Sequence, residues 1–397
     1  MFETGAFLLA TLLTIPNGFG VNIHFTGNPH DLDLIAEAGF KFIRMDFVWG
    51  AVEREKGVYN FENTGYDALT EGCLSRGIRP LYILDYSNKL YEESNSVRTS
   101  EGRSAFAKFA ETAVKRYEGK DILWEIWNEP NLGHFWNPQP SIDDYCALVE
   151  ETSSRVKKSV PSAIIVAPAT SGIPMEWLEG CFKKGLLDWI DALTVHPYRA
   201  QNPETVISDY AKLRELISKY TKKNIPIISG EWGYSNINWD RNPITEEQQA
   251  QYLVRMFLIN HYQGIPVNIW YDWKNDGTDP NEREHHFGTM THDLNPKKAY
   301  LAVKALSKIL NGYSIVERID LGNSDDFALK IFRSAQNDIG KDEAIALWTT
   351  KDDHEVKISV GKNKGTLIDM YGEKRQDWNG EKITLSQSPQ YLMLTGE

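Results

Sequence analysis

The stretch Trp124-Glu125-Ile126-Trp127-Asn128-Glu129-Pro130-Asn131 decides how the rest of the chain is interpreted. An apolar run ends there abruptly in an amide, a carboxyl group and a proline. Proline cannot continue the hydrogen-bonded ladder of a central strand, and a buried strand gains no stability by finishing on a glutamate. A strand that delivers a carboxyl group to a cleft does end in this way. We therefore interpret Glu129 as a functional residue and expect a second group to act with it.

The chain on both sides of this stretch alternates between short apolar runs and helical segments. The predicted strands are 20–25, 40–47, 78–84, 122–128, 163–167, 192–196, 225–229 and 266–273. The predicted helices are 31–38, 66–76, 101–117, 143–160, 175–185, 203–220, 246–263 and 296–310. Strands that are apolar almost throughout belong to a sheet covered on both faces. Eight such units predict an α/β fold, a closed (β/α)8 TIM barrel.

An open doubly wound sheet is the alternative to the barrel. It should carry a glycine-rich phosphate loop after its first strand, but Thr26-Gly27-Asn28-Pro29 follows that strand here. From Asn311 onward the pattern changes to short alternating runs at 327–332, 344–348, 356–360, 365–370, 382–385 and 391–394. These runs predict a small antiparallel β-sandwich. We expect a catalytic barrel at 1–310 and an accessory sandwich at 311–397, packed directly on each other.

Composition narrows the class of protein. The net charge is -12, and the sequence shows no basic patch of the kind that a nucleic-acid partner requires. The three cysteines are isolated in sequence and odd in number, so they predict neither a disulfide framework nor a metal site. With 12 Trp, 18 Tyr and 16 Phe, the chain has aromatic side chains enough for a core and also for a cleft that binds sugars.

The N-terminal residues 7–15 form an apolar run about as long as the core of a signal peptide. No Lys or Arg precedes this run and no small-x-small cleavage site follows it, so an ordered strand or short helix is expected instead. Nothing else in the sequence approaches a membrane span.

The barrel rule places the residues at the carboxyl ends of the strands around one mouth. Glu129 ends the fourth strand and Glu231 ends the seventh, so these two carboxyl groups should face each other across the cleft. Glycoside hydrolysis needs such a pair, one carboxyl group protonated and the other ionised. In enzymes that retain the anomeric configuration, the two groups stand about 5–5.5 Å apart.

Residues at the other strand ends are suited to keep one of these carboxyl groups ionised and the other protonated. Arg44 and Tyr198 could hold Glu231 as a carboxylate, because a cation and a hydrogen-bond donor both favour the charged form. Glu129 has fewer donors around it in sequence and could keep its proton. Trp270 could form an apolar floor beneath the sugar ring. Trp136, in the loop after Glu129, is interpreted either as a sugar platform or as loop packing.

At these residues the chain resembles a known clan. Trp-Asn-Glu-Pro at 127–130 and Gly-Glu-Trp-Gly at 230–233 look like the two active-site motifs of the clan A retaining β-glycoside hydrolases. His196-Pro197-Tyr198 is similar to the His-x-Tyr of that clan. The stretch 49–61 and the C-terminal sandwich look more like the β-xylosidase-type family 39 and its cellulase-like neighbours in family 5.

The resemblance implies roles for the strand-end residues. Glu129 would be the acid/base and Glu231 the nucleophile. Asn128 would contact the 2-hydroxyl of the sugar, and His196 would line the subsite where the bond breaks. The reaction would be double displacement on an oligosaccharide or polysaccharide, with no cofactor and no metal. Such a substrate favours an extracellular or periplasmic location.

The resemblance is incomplete at two strand ends, 85–88 and 270–276, which have no counterpart that we can assign and should set the substrate. Two alternatives remain open. A non-catalytic carbohydrate-binding barrel usually lacks one of the acids, and both acids are present here. A transglycosylase would use the same site with a sugar instead of water.

Overall fold

A computed structural model describes residues 9, 11–26, 28–237, 243–335 and 338–395. The strand or short helix expected at 7–15 falls partly outside these residues, because 7, 8 and 10 are not among them. Leu9 and Leu12 are buried in one apolar cluster with residues of the barrel strands, among them Phe42 and Leu81. The described part of the N-terminal segment is therefore packed on the fold.

Eight parallel strands form a closed barrel, as predicted, and the open sheet is excluded. The strands are Phe19–Asn22, Phe42–Val48, Arg79–Asp85, Leu123–Ile126, Ile164–Ser171, Ala192–His196, Ile227–Trp232 and Asn268–Trp270. Each strand pairs with its sequence neighbours, and the first strand closes the ring by pairing with the eighth. The barrel helices are Pro29–Glu37, Tyr66–Leu74, Ser100–Arg116, Ile142–Ser159, Met175–Lys183, Val206–Tyr220, Glu246–Tyr262 and Lys298–Ile309.

Several of these helices begin at residues that satisfy free backbone N–H groups. The side chain of Thr99 accepts from Gly102 N and that of Ser141 accepts from Asp144 N. Thr245 and Gln248 form a reciprocal capping box. These local signals explain why the predicted helix starts lie close to the observed ones.

The interior of the barrel changes from apolar to polar along each strand. Side chains two residues apart point to the same face, so the second strand turns Phe42, Arg44 and Asp46 inward. Phe42 belongs to the apolar cluster at the N-terminal end of the barrel, together with Leu123 of the fourth strand. Polar side chains that would be costly to bury there are instead gathered at the C-terminal mouth.

The C-terminal strands form an antiparallel sandwich, as predicted. A six-stranded sheet has the order Ser314–Arg318, Asp326–Ala335, Asp338–Thr349, Gln390–Leu394, Gly365–Ile368 and Lys374–Trp378. A two-stranded sheet, His354–Val356 with Ile383–Leu385, lies beside it. Ala328 packs with Ile383 in the core of the sandwich, whereas its neighbours Phe327 and Leu329 belong to the core of the barrel. One face of the large sheet therefore packs on the barrel.

Two strands of this sheet were missed by the sequence prediction, Ser314–Arg318 and Lys374–Trp378. They are the two edge strands of the six-stranded sheet. An edge strand buries little and is often charged, and four of the five residues of Lys374–Trp378 are exposed. A pattern search for alternating apolar residues does not detect such strands.

Among the residues that the structure describes, no helix combines the length and the apolar character that crossing a membrane requires.

Candidate active site

Glu129 is directed into the mouth by an unusual backbone path. The fourth strand ends at Ile126, and Trp127 and Glu129 then adopt left-handed φ angles of 69° and 45°. Such angles cost energy for residues with a side chain and are found where a site needs a particular direction. Glu129 N donates to Ala169 O at 2.9 Å, which fixes this turn to the fifth strand.

Glu231 receives one donor on each carboxylate oxygen. Arg44 Nη1 donates to Oε2 at 2.6 Å, and the Tyr198 hydroxyl donates to Oε1 at 2.8 Å. The side chain of Glu231 is 15% exposed, so the carboxylate remains accessible from the cleft while both of its oxygens are hydrogen-bonded.

The two glutamates lie close together across the mouth. A carboxylate oxygen of Glu129 and one of Glu231 lie within 4.8 Å of each other, and a ring nitrogen of His196 lies within the same distance of both. Three such groups could also hold a metal ion. The spacing is also near that of the carboxyl pair in retaining glycosidases.

Arg44 connects most of the polar groups in the barrel interior. Its guanidinium donates to Glu125 Oε1 through Nε at 2.8 Å and to Asn128 Oδ1 through Nη2 at 2.8 Å. Nη1 also reaches Asn22 Oδ1 at 3.3 Å. Burial opposes the charge on Arg44, yet Glu125 and Glu231 hold its pKa above the usual range. Arg44 therefore remains a cation inside the barrel.

His196 lies between Arg44 and Glu129. Its Nε2 is 3.3 Å from Arg44 Nη2, and its Nδ1 is 2.9 Å from Glu129 Oε1. A guanidinium can only donate, so Nε2 must be the bare nitrogen and Nδ1 carries the hydrogen. Burial lowers the pKa of His196 to about 4, so the ring is neutral at pH 7. A neutral ring of this tautomer donates to Glu129.

Glu129 is the less solvated of the two glutamates. Burial raises its pKa to about 7, against the opposing effects of Ser171, Arg44 and His134. Near neutral pH the carboxyl group is thus divided between its protonated and ionised forms. A residue that must first give a proton and later take one back needs this balance.

A second polar group lines the mouth on the side of the first and eighth strands. His24 Nδ1 lies 3.0 Å from Asp276 Oδ1 and 3.6 Å from Asp272 Oδ2. Burial alone would lower the pKa of His24, but the hydrogen bond to Asp276 and the charge of Asp272 raise it to about 9. The three ligand atoms lie within 4.8 Å of one another and could hold a cation.

Asp85 and Asp46 form a carboxyl pair on the neighbouring third and second strands. Asp85 is completely buried, and its pKa is raised well above the usual range by burial and then by the charge of Asp46. Asp85 and Asp272 lie in the two strand ends that were expected to set the substrate, whereas no role was predicted for His24 and Asp46. Their position at strand ends could have identified them from the sequence. Their pairing could not be predicted in this way, because it depends on which side chains lie next to each other in the barrel.

Three of the predicted substrate-binding residues are completely buried, and for Trp136 this favours the loop-packing interpretation. Trp136 is completely buried against Trp127 and Tyr145, so its ring offers no face to a sugar. Trp270 is also completely buried, and its Nε1 donates to Phe287 O at 3.3 Å. His196 is completely buried too, so it contacts Glu129 rather than lining the subsite.

The reason for the error at Trp270 is strand register. The eighth strand ends at Trp270. Its neighbour Ile269 belongs to the apolar cluster inside the barrel, so by alternation Trp270 points outward and Tyr271 points into the mouth. Tyr271 is partly exposed and tilts against His24 with ring centroids 5.7 Å apart. Tyr271, not Trp270, is the aromatic residue of this strand that faces the cleft.

Replacement of Trp136 by alanine tests its role in the core. We expect the free energy of unfolding to fall by about 3–5 kcal/mol, because the change leaves a large cavity. Urea unfolding of Trp136→Ala measures this loss, with Leu132→Ala, a 37% exposed residue in the same loop, as the control. A loss below about 1 kcal/mol together with weaker oligosaccharide binding would restore the platform interpretation.

Comparison with known proteins identifies the barrel. The model of the cellulase family, glycosyl hydrolase family 5, matches residues 13–277. The chain belongs to this family. The predicted resemblance to clan A glycoside hydrolases is thereby confirmed.

Two β-xylosidases are also similar to this chain. A β-xylosidase of Geobacillus stearothermophilus is 24% identical over 52% of this chain and 50% of its own length. A β-xylosidase of Caldicellulosiruptor saccharolyticus is 23% identical over 73% of this chain and 65% of its own length. The chain therefore spans about half to two thirds of the length of these relatives.

Among solved structures, a family 39 glycoside hydrolase from the gut symbiont Bacteroides cellulosilyticus WH2 superposes with a TM-score of 0.82. It is 27% identical, and the match covers 95% of this chain and 81% of that one. A family 39 β-xylosidase from Caulobacter crescentus, 17% identical with a TM-score of 0.66 over 96% of both chains, has the same fold. The chain thus matches the family 5 model in sequence and resembles family 39 members in structure.

Proposed function

We propose that the protein is a retaining β-glycoside hydrolase that works by double displacement on oligosaccharides or polysaccharides. One observation carries the proposal: two carboxyl groups within 4.8 Å of each other have opposite environments. Glu231 accepts from Arg44 and Tyr198, whereas burial raises the pKa of Glu129 to about 7. A nucleophile and a proton donor differ in this way.

The first step forms a glycosyl-enzyme. A carboxylate oxygen of Glu231 bonds to the anomeric carbon while the bond from that carbon to the leaving oxygen breaks. The leaving oxygen keeps the electron pair and takes the proton of Glu129. In the second step Glu129 accepts a proton from water, whose oxygen bonds to the anomeric carbon and releases Glu231 as a carboxylate.

Trapping of the glycosyl-enzyme tests this mechanism. A 2-deoxy-2-fluoro-β-glycoside with a good leaving group should inactivate the enzyme and add one glycosyl mass to the peptide that contains Glu231. Steady turnover of the parent glycoside with no adduct, and with inversion at the anomeric carbon by NMR, would contradict double displacement.

The pH dependence of kcat/KM provides a further prediction. The first step requires protonated Glu129, so kcat/KM should fall as pH rises through about 7, the pKa to which burial raises this group. The Glu129→Gln variant removes the titrating group and should show a much lower rate without this basic limb. A wild-type basic limb above pH 9 would contradict the assignment of Glu129 as the acid.

The relatives guide the choice of substrate. The two relatives described above are β-xylosidases, so we propose β-xylosides as the first substrates to test, followed by β-glucosides. A screen of aryl β-glycosides alongside xylans and β-glucans separates action at chain ends from action within chains. An extracellular or periplasmic location fits such substrates and is part of the proposal.

We also propose that the chain divides into a catalytic barrel at 1–310 and an accessory sandwich at 311–397. In support, the last barrel helix ends at Ile309 and the first sandwich strand begins at Ser314. Trp348 Nε1 donates to Glu204 Oε1 at 2.7 Å, a buried contact between the two parts. This contact favours a packing role for the sandwich.

A further inference from the structure

Glu125 is a buried acid that the mechanism above does not use. It lies on the fourth strand, between Ile83 of the third strand and Val166 of the fifth. Its side chain is 0% exposed, so it does not contact the substrate. A buried carboxylate is costly to keep, and its position four residues before Glu129 does not explain it.

The contacts of Glu125 converge on Arg44. Its Oε1 lies 2.8 Å from Arg44 Nε and 2.6 Å from Arg44 Nη2. Among the described residues, no donor reaches the other oxygen, Oε2. That oxygen packs against Gly230, where an added Cβ would lie 3.2 Å from it. Gly230 directly precedes Glu231, and the two acids bond to different nitrogens of Arg44, Glu125 to Nε and Nη2 and Glu231 to Nη1.

The charges around Arg44 are unequal during the reaction. In the resting enzyme one guanidinium faces two carboxylates, Glu125 and Glu231. In the glycosyl-enzyme Glu231 is an ester and has lost its charge. Without Glu125, Arg44 would then be a buried cation with no nearby carboxylate bonded to it, which is strongly unfavourable.

The remaining groups near Arg44 and Glu231 do not replace this charge. Five of them carry no charge near pH 7, namely Asn22, Asn128, His196, Tyr198 and Tyr271.

Two other acids lie near Arg44. Asp46 acts on Arg44 only through space. Glu129 lies on the far side of His196, and it alternates between its protonated and ionised forms. Among the residues that the structure describes, Glu125 alone is both ion-paired with Arg44 and outside the chemistry.

We propose that Glu125 is a positioning residue that serves as the permanent counter-ion of Arg44. Arg44 then keeps an ion-pair partner when Glu231 bonds to the anomeric carbon and loses its charge. This inference rests on the proposed double displacement. It also explains why Glu231 can be bonded to a guanidinium and still act as a nucleophile. Because Glu125 already balances the charge of Arg44, Arg44 can orient Glu231 without lowering the nucleophilicity of the carboxylate.

The Glu125→Gln variant tests the proposal, because it keeps shape and removes charge. With Glu231 as its only bonded carboxylate, Arg44 should attract the negative charge of Glu231 more strongly and oppose its transfer to the anomeric carbon. The acid limb of kcat/KM should move to lower pH by at least about half a unit. The value of kcat/KM, and the rate of inactivation by the 2-fluoro glycoside, should fall by about 10- to 100-fold.

Two further variants separate a charge effect from a loss of stability. Glu125→Asp keeps the charge and should keep the wild-type acid limb. Glu53→Gln changes another completely buried acid, bonded to Trp49 Nε1 and outside the Arg44 network. It should lower the melting temperature and leave the acid limb in place.

The outcomes are distinct. If Glu125→Gln folds, with a wild-type acid limb and kcat/KM within threefold of wild type, the counter-ion role is wrong. If that variant does not fold, the test rests on Glu125→Asp. This variant keeps the charge, so a shift of its acid limb of kcat/KM would overturn the proposal. If wild-type enzyme forms no adduct with the 2-fluoro glycoside, the double displacement itself fails, and the counter-ion role fails with it.

Discussion

Glu231→Ala should abolish turnover, with a fall in kcat of roughly 10⁴-fold or more. The side chain supplies the only oxygen that we place in line to bond to the anomeric carbon. Its loss also leaves the donors of Arg44 and Tyr198 without their acceptor. Initial rates on an aryl β-glycoside, with a detection limit well below this level, measure the effect.

A matched control separates catalysis from folding. Glu215 is 71% exposed on the helix Val206–Tyr220, and Glu215→Ala should keep wild-type activity and stability. Circular dichroism and thermal unfolding establish that Glu231→Ala is folded. Near-normal activity of a folded Glu231→Ala on every accepted substrate would disprove its role as the nucleophile.

Glu129→Ala should produce a different pattern, because the lost function depends on the leaving group. Loss of a general acid costs about 10²- to 10⁴-fold with a poor leaving group. An activated aryl glycoside needs no proton in the first step, so the glycosyl-enzyme should still form and then accumulate. Added azide should restore turnover, since this anion attacks without a general base.

The product of this rescue identifies the mechanism. A retaining enzyme attacked by azide at the glycosyl-enzyme releases the β-glycosyl azide, which NMR distinguishes from the α form. Glu231→Ala provides the comparison, because azide attack on the substrate itself would give the α form. Rescue of Glu129→Ala that yields only the α-glycosyl azide would argue against Glu129 as the acid/base.

Most of the barrel could be predicted from the sequence because its strands are buried on both faces. The predicted strand Ala192–His196 has its observed bounds, and the other barrel strands differ by a few residues at their ends. The edge strands Ser314–Arg318 and Lys374–Trp378 were missed for the converse reason, since little of either is buried.

The pair Glu129 and Glu231 could also be located from the sequence. A closed barrel brings the carboxyl ends of all its strands to one mouth, so residues at those ends meet even when they lie 100 positions apart in the chain. Their separation within 4.8 Å follows from this rule. The orientation of individual side chains does not follow from it, as the buried Trp136 and Trp270 show.

By itself, then, the sequence determined the barrel, the sandwich and the two carboxyl groups. These depend on patterns that repeat along the chain. Only the tertiary structure decided that Tyr271 rather than Trp270 faces the cleft, that His196 is buried against Glu129, and that Glu125 forms an ion pair with Arg44. Those features depend on side-chain direction and on contacts between strands distant in sequence, where a change of one residue in register reverses the face.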